Sequence, residues 1–316
     1  MTDAIFDRIA IIGAGLIGTS IAHAATAVGA AGEVVLYDTD PNVRQRADAL
    51  GAGRVAGTPV DAVANADAIF LCVPVGAMGD ATRAISGSMK RGAILTDVGS
   101  VKASALSAMV EACPDHVHLI PGHPIAGTEQ SGPEAGFASL FEDSWHILTP
   151  DTGRGLAYDT AVGRLSDFWR QLGAKVEIMD PGRHDRILAI TSHLPHLIAY
   201  NIVSTAYDME SVDEGEVVKY CAGGFRDFTR IAASDPIMWR DVFLNNKEAV
   251  LETLGRFTED LTALQKAIRH GDGDMLFQEF ERARGIRKAI LDAGQDTDEV
   301  NFGRNADGPD PVTAGD

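Results

Sequence analysis

At 316 residues and 45% hydrophobic content, the chain is long enough for two domains that each bury their own core. Its formal charge of −18 excludes, by repulsion, nucleic acid and an anionic membrane surface as partners. No apolar run reads as a membrane span, and the start lacks the basic-then-apolar order of a signal peptide. Three scattered cysteines (Cys72, Cys113, Cys221) suit neither a disulfide framework nor a zinc site, so a cytoplasmic protein with no metal is expected.

Strand-like and helix-like segments alternate through the first 180 residues. Residues 8–13 (RIAIIG) read as a buried strand, and 16–28 as a helix of small and apolar side chains. Further strands are predicted at 33–37 (EVVLY), 67–73 (DAIFLCV), 93–96 (AILT), 116–120 (HVHLI) and 175–179 (KVEIM). Short apolar strands separated by helices predict an α/β fold with a doubly wound parallel sheet.

After Asp180-Pro181-Gly182 the strand signal stops, and an all-helical domain is expected over 181–292. A long apolar helix over 185–207 contains Pro195, which cannot donate to the Thr191 carbonyl and should kink it. Asp235-Pro236 reads as an N-cap followed by a first-turn proline. Two amphipathic helices follow, at about 247–270 and 274–293. The remainder, 293–316, sets six acids against Arg304 with little apolar periodicity, so an acidic, disordered tail is expected.

The chemistry begins at Gly13-Ala14-Gly15-Leu16-Ile17-Gly18, which follows a strand and opens a helix, the context a dinucleotide fingerprint requires. Asp38 ends the next strand 20 residues beyond Gly18, where a carboxylate can bind ribose hydroxyls and would repel a 2′-phosphate. NAD is therefore expected over NADP; Arg44 and Arg46 could compensate only by reaching back. Val73 and Pro74, at the end of the 67–73 strand, should wall the cofactor.

Two further loops open at the same sheet edge. His123, in a glycine-rich loop after the 116–120 strand, is placed to take a proton from an alcohol as hydride leaves the same carbon. Ser100, similarly placed, could orient His123 or the reacting hydroxyl. An acidic protein that binds an anion needs concentrated arginines, and Arg226 and Arg230 lie four apart, on one helix face. His193 and His196, three apart beside Pro195, offer a substrate contact or a core position; no nearby cysteine or carboxylate completes a metal site.

Together GAGLIG (13–18), TDVGSVK (96–102), GHPIAGTEQSG (122–132), SHLPH (192–196) and GGFRDFTRIAASDPIMWRDVF (223–243) resemble the prephenate/arogenate (cyclohexadienyl) dehydrogenase family. The resemblance implies a Rossmann domain over 1–180, a helical substrate and dimerisation domain over 181–292, and a homodimer built through the latter. It implies a small-molecule substrate, prephenate or arogenate, oxidised and decarboxylated on the route to tyrosine. By position it implies that His123 is the catalytic histidine, Ser100 its assistant, Arg230 the carboxylate holder and His193 a substrate contact. Thr128, Glu129, Asp227 and Trp239 match site or dimer-seam positions, and Arg226 rests on helical spacing alone. Neither a fused chorismate mutase nor a regulatory domain is expected. The rival reading is another oxidoreductase with a Rossmann and a helical domain, of the β-hydroxyacid dehydrogenase or imino-acid reductase type. Such a protein would be expected to carry a catalytic lysine or a different loop in place of HPIAGTE.

Overall fold

The computed structural model describes residues 4–210 and 221–292; the acidic tail expected at 293–316 lies outside them. Among the described residues, 4–210 with 229–253 form one compact unit, and 221–228 with 254–292 a second.

The first unit is built on a six-stranded parallel sheet of β1 (Phe6–Ile12), β2 (Ala31–Tyr37), β3 (Arg54–Val55), β4 (Ala68–Leu71), β5 (Ile94–Asp97) and β6 (His118–Leu119). The strand order is β3-β2-β1-β4-β5-β6, the doubly wound arrangement that the alternating pattern predicts. Both faces are covered. Phe6, Ile9, Ile11 and Phe70 pack on one side against Phe168 and Trp169 of the helix Leu156–Gln171. Ala10, Ile12, Ile69 and Leu71 pack on the other against Met78, Met109 and Val242. Burial on both faces explains why these strands read as apolar runs rather than alternations. Strands are added on one side of β1 as far as β3 and on its other side from β4 onward, so the crevice lies beyond the carboxyl ends of β1 and β4.

Three features depart from the sequence reading. First, the segment after Leu119 does not stay a loop. Gly122–Ile125 is a strand, β7, paired antiparallel with β8 (Trp145–Leu148), which pairs in parallel with β9 (Lys175–Ile178). These three form a separate sheet, so the 175–179 segment is a strand but does not extend the six-stranded sheet. Glycine and proline argue against a strand, but β7 lies at the sheet edge, where Pro124 needs no ladder donor.

Second, the proline helix starts earlier, as Pro181–Leu188 capped by Asp180, passes through a π-helical turn at Ala189–His193, and continues as Leu194–Glu210. The widened turn absorbs the donor that Pro195 lacks. Contrary to the expectation of no spanning run, the stretch Pro181–Met209 is long and apolar enough by composition to cross a bilayer. It nonetheless buries His184, Asp185 and His193 in the protein interior. Third, the helix Gly223–Thr229 gives way to a 3₁₀ turn at Arg230–Ala233, so Arg226 and Arg230 fall in different elements rather than on one helix face.

Asp235 caps the helix Pro236–Asn245 as its sequence predicts, accepting from the N–H groups of Ile237 at 2.8 Å and Met238 at 2.9 Å. The second unit is helical. It contains Arg226, the end of the helix Lys247–His270, and the helix Gly273–Asp292.

Candidate active site

A cleft of about 730 Å³ opens within the first unit at the carboxyl edge of its main sheet. Each segment after a strand contributes a wall: Gly15–Ile17 after β1, Cys72–Val75 after β4, Val98–Ser100 after β5, and β7 with the loop to Gly132. The opposite wall comes from Leu188, Ser192 and His196 and from the segment between Arg230 and Val242.

The fingerprint glycines have three separate physical reasons. Gly13 has φ +103°, and a Cβ there would stand 2.2 Å from the Cys72 carbonyl oxygen. A Cβ on Gly18 would stand 2.0 Å from the Gly13 carbonyl oxygen, so the helix could not pack on the strand. A Cβ on Gly15 would meet nothing within 4 Å, although it borders the cleft. That open space is what an approaching pyrophosphate needs. The helix Leu16–Val28 begins there without a side-chain cap, which leaves its first N–H groups for an anion.

Asp38 is fixed at the tip of β2. Its Oδ2 accepts from the Ala14 N–H and its Oδ1 from the Asp40 N–H, both at 2.9 Å. Each carboxylate oxygen keeps acceptor capacity for a ribose hydroxyl. The neighbouring cations are engaged elsewhere: Arg44 donates to the Asp38 carbonyl at 2.6 Å, and Arg46 pairs with Glu134 at 3.0 Å. These residues fit a dinucleotide with a free 2′-hydroxyl. Leu16, Ile17, Val73 and Pro74 give the cleft an apolar lining, and burial pushes the Cys72 thiol up, so it stands neutral beside them.

His123 projects from β7 and is 8% exposed, on the cleft wall. Its Nδ1 lies 2.8 Å from Nε2 of His184, whose Nδ1 lies 2.8 Å from the Asp185 carboxylate. Asp185 also accepts from the N–H groups of Lys102 at 2.8 Å and Ala103 at 2.9 Å. Burial works against the Asp185 charge, but the bonds from His184, Lys102 and Ala103 outweigh it and hold the carboxyl below its ordinary value. Burial, reinforced by His184, Lys102, His146 and His193, pushes the His123 imidazole well below the ordinary histidine range. His123 is thus neutral at pH 7.

The Lys102 ammonium and the Asp97 carboxylate form a fully buried ion pair behind this wall. Lys102 also donates to the Gly122 carbonyl at 2.6 Å, and Asp97 accepts from the N–H groups of Gly99 at 2.8 Å and Gly122 at 3.2 Å. The pair therefore ties the end of β5 to the residue before His123. Lys102 stands in the TDVGSVK stretch, but a surface lysine and a buried one look alike in sequence. Ser100 lies on this loop and lines the same cleft as His123.

The two histidines of SHLPH separate. His193 is fully buried, its Nδ1 accepts from Asn246 at 3.1 Å, and burial lowers its pKa to about 4. It does not line the cleft. His196 does, stacked on Trp239 with ring centroids 3.6 Å apart and Nδ1 donating to the Ser192 carbonyl at 2.9 Å. His193 thus stands behind the wall and His196 on it, because the π turn that ends at His193 leaves the two side chains on different neighbours.

At the mouth, Arg230 pairs with Glu129 at 2.9 Å, with the two side chains 54% and 35% exposed. Thr128 lines the same rim. Arg226 lies in the second compact unit and is not among the residues lining this cleft. The arrangement offers a neutral buried imidazole beside a dinucleotide edge, facing a guanidinium that can exchange its carboxylate partner. That is the equipment for taking a proton from an anionic alcohol while hydride leaves it.

Comparison with known proteins agrees. Residues 21–178 match the family described as prephenate dehydrogenase, nucleotide-binding domain, and residues 180–282 its dimerization domain. The cyclohexadienyl dehydrogenase of Zymomonas mobilis is 42% identical over 287 residues, which cover 90% of this chain and 97% of that protein. The prephenate dehydrogenase of Bacillus subtilis is 30% identical over 90% of this chain and 76% of its own length. The solved prephenate dehydrogenase of A. aeolicus, in complex with hydroxyphenyl propionate and NAD+, superposes with a TM-score of 0.82 at 32% identity. That match covers 92% of this chain and 99% of the other.

Proposed function

The chain belongs to the prephenate dehydrogenase family, and from that premise we propose that it oxidises and decarboxylates prephenate, arogenate or both in tyrosine biosynthesis, using NAD. The observation that carries this reading is a neutral, buried His123 on the wall of a cleft bordered by the Gly15 opening and by Arg230. NAD, which Gly13, Gly15, Gly18 and Asp38 would hold with Leu16, Ile17, Val73 and Pro74 beside it, would supply the hydride acceptor.

The chain's own residues do the rest. His123 takes the proton of the ring C4 hydroxyl as the C4–H bond breaks and the carbonyl forms. The C1–carboxylate bond then breaks, carbon dioxide leaves, and the electron pair restores an aromatic ring with oxygen at C4. His123 returns its proton to that oxygen. The products are 4-hydroxyphenylpyruvate from prephenate or tyrosine from arogenate, with one carbon dioxide and one NADH. Aromatisation drives the reaction, so the protein mainly positions and deprotonates.

Arg230 holds the side-chain carboxylate in a planar fork, and to do so it exchanges Glu129 for substrate. Glu129, once released, is available to the ammonium that distinguishes arogenate. Thr128 and Ser100 supply hydroxyls at the rim and beside His123, and His196 presents its bare Nε2 to the substrate. In this reading residues 1–180 hold the cofactor and carry His123, and 181–292 add Arg230 and His196 on the substrate side. The exposed Leu261, Ile268, Phe277 and Phe280 support pairing with a second copy through the helical part. None of the three cysteines forms a disulfide, which suits a reducing, cytoplasmic setting.

Initial rates of NADH formation test the reading, with prephenate and arogenate each offered with NAD and NADP. Turnover is expected with at least one acid, with NAD favoured roughly 10²-fold in kcat/KM because a 2′-phosphate would meet Asp38. No turnover with either acid, in protein that binds NAD, would refute the assignment.

A further inference from the structure

We propose that His184 and Asp185 are positioning residues that lock His123 in the tautomer and orientation of a base, through the buried chain His123 Nδ1, His184 Nε2, His184 Nδ1 and Asp185 carboxylate. This rests on His123 acting as the base of the reaction above.

The chain has one direction. Asp185 is ionised and already accepts from two backbone N–H groups, so it can only accept from His184. The His184 proton therefore sits on Nδ1, and its Nε2 is an acceptor. At 2.8 Å from that acceptor, Nδ1 of His123 must be the donor, so the proton of neutral His123 sits on Nδ1. His123 Nε2 is left with its lone pair on a residue that lines the cleft. Were the tautomer reversed, two bare nitrogens would face each other in the interior, at the cost of an unsatisfied buried pair.

The anchor is rigid. His184 is fully buried and Asp185 is 5% exposed. Asp185 ties the helix Pro181–Leu188 to the loop after β5, and Asn246 donates to the Asp185 carbonyl at 2.9 Å. The ring planes of His123 and His184 cross at 65° with centroids 5.1 Å apart, an edge contact that fixes His123 about its own axis. When His123 takes the substrate proton, its Nδ1–H bond to His184 becomes charge-assisted and stronger. The relay therefore favours the state formed as hydride leaves, rather than substrate binding, and its loss should appear in kcat.

Two variants and one spectrum test this. His184→Phe keeps a ring but removes the acceptor. It should lower kcat about 10²-fold, with KM for prephenate and NAD affinity within about threefold of wild type. His184→Gln can offer an oxygen to His123 and an N–H to Asp185, and should recover kcat to within about tenfold. Wild-type turnover in His184→Phe, or equal damage in both variants, would overturn the relay. Should neither variant fold, long-range ¹H–¹⁵N spectra of the NAD-bound wild-type protein decide. The resonance lost in His123→Asn is expected to show a protonated Nδ1 and a bare Nε2; a protonated Nε2 would overturn the proposal. Undiminished turnover in His123→Asn would instead remove the base itself, a distinct outcome.

Discussion

The two sides of the cleft hold their functional groups in opposite ways. His123 sits on the β7 wall with its Nδ1 held by buried partners, and nothing there needs to move when substrate arrives. Arg230 stands at the mouth, 54% exposed and paired with Glu129, which a bound substrate carboxylate would have to displace. A buried network is expensive to disturb and fixes geometry, whereas an exposed ion pair contributes at most about 1 kcal/mol and exchanges freely. On the proposed reading the wall does the chemistry and the mouth captures substrate.

If that division holds, damage to the wall should appear in kcat and damage to the mouth in KM. The largest effect is expected from His123→Asn, a loss of roughly 10²–10⁴-fold in kcat with NAD binding intact, read by steady-state rates and fluorescence titration. Near-normal turnover in that variant would erase the comparison. Arg230→Ala should raise KM for prephenate roughly 10–10²-fold and leave kcat much closer to wild type, as expected when a charged hydrogen-bonding partner is removed. A matching fall in kcat would place Arg230 in the chemistry instead. Glu129→Gln should act only a few-fold, lowering KM for prephenate by freeing Arg230 and raising it for arogenate. Equal shifts for both acids would break that distinction.

The smallest effect is a displaced pH limb. A base must be deprotonated to work, so kcat/KM falls as pH drops through the His123 pKa. Burial, with His184, Lys102, His146 and His193 nearby, lowers that pKa. The acid limb should therefore lie below 6.5, the ordinary histidine value. An inflection at or above that value would contradict the buried, neutral imidazole.

The sheet was legible because each of its longer strands is an apolar run, and the fingerprint because Gly13, Gly15 and Gly18 each answer a local backbone demand. His123 was legible as a residue but not as part of a strand, since Gly122 and Pro124 read as turn formers and only the edge position of β7 permits them. His184 and Asp185 gave no signal, because they lie 61 and 62 residues from His123 and only the fold brings them behind it. Which of His193 and His196 lines the cleft turns on a π-helical turn that Pro195 hints at but does not phase. Lys102 was in view within TDVGSVK, yet nothing local announces a lysine whose ammonium is buried against Asp97.

The central claim is that hydride loss and carboxylate loss occur on one substrate in one turnover. The direct measurement is carbon dioxide and NADH released together, from prephenate and from arogenate, in the presence of NAD. One carbon dioxide for each NADH, with whichever acid turns over, is the predicted result. NADH formed without carbon dioxide would contradict the account and make the protein a simple alcohol dehydrogenase.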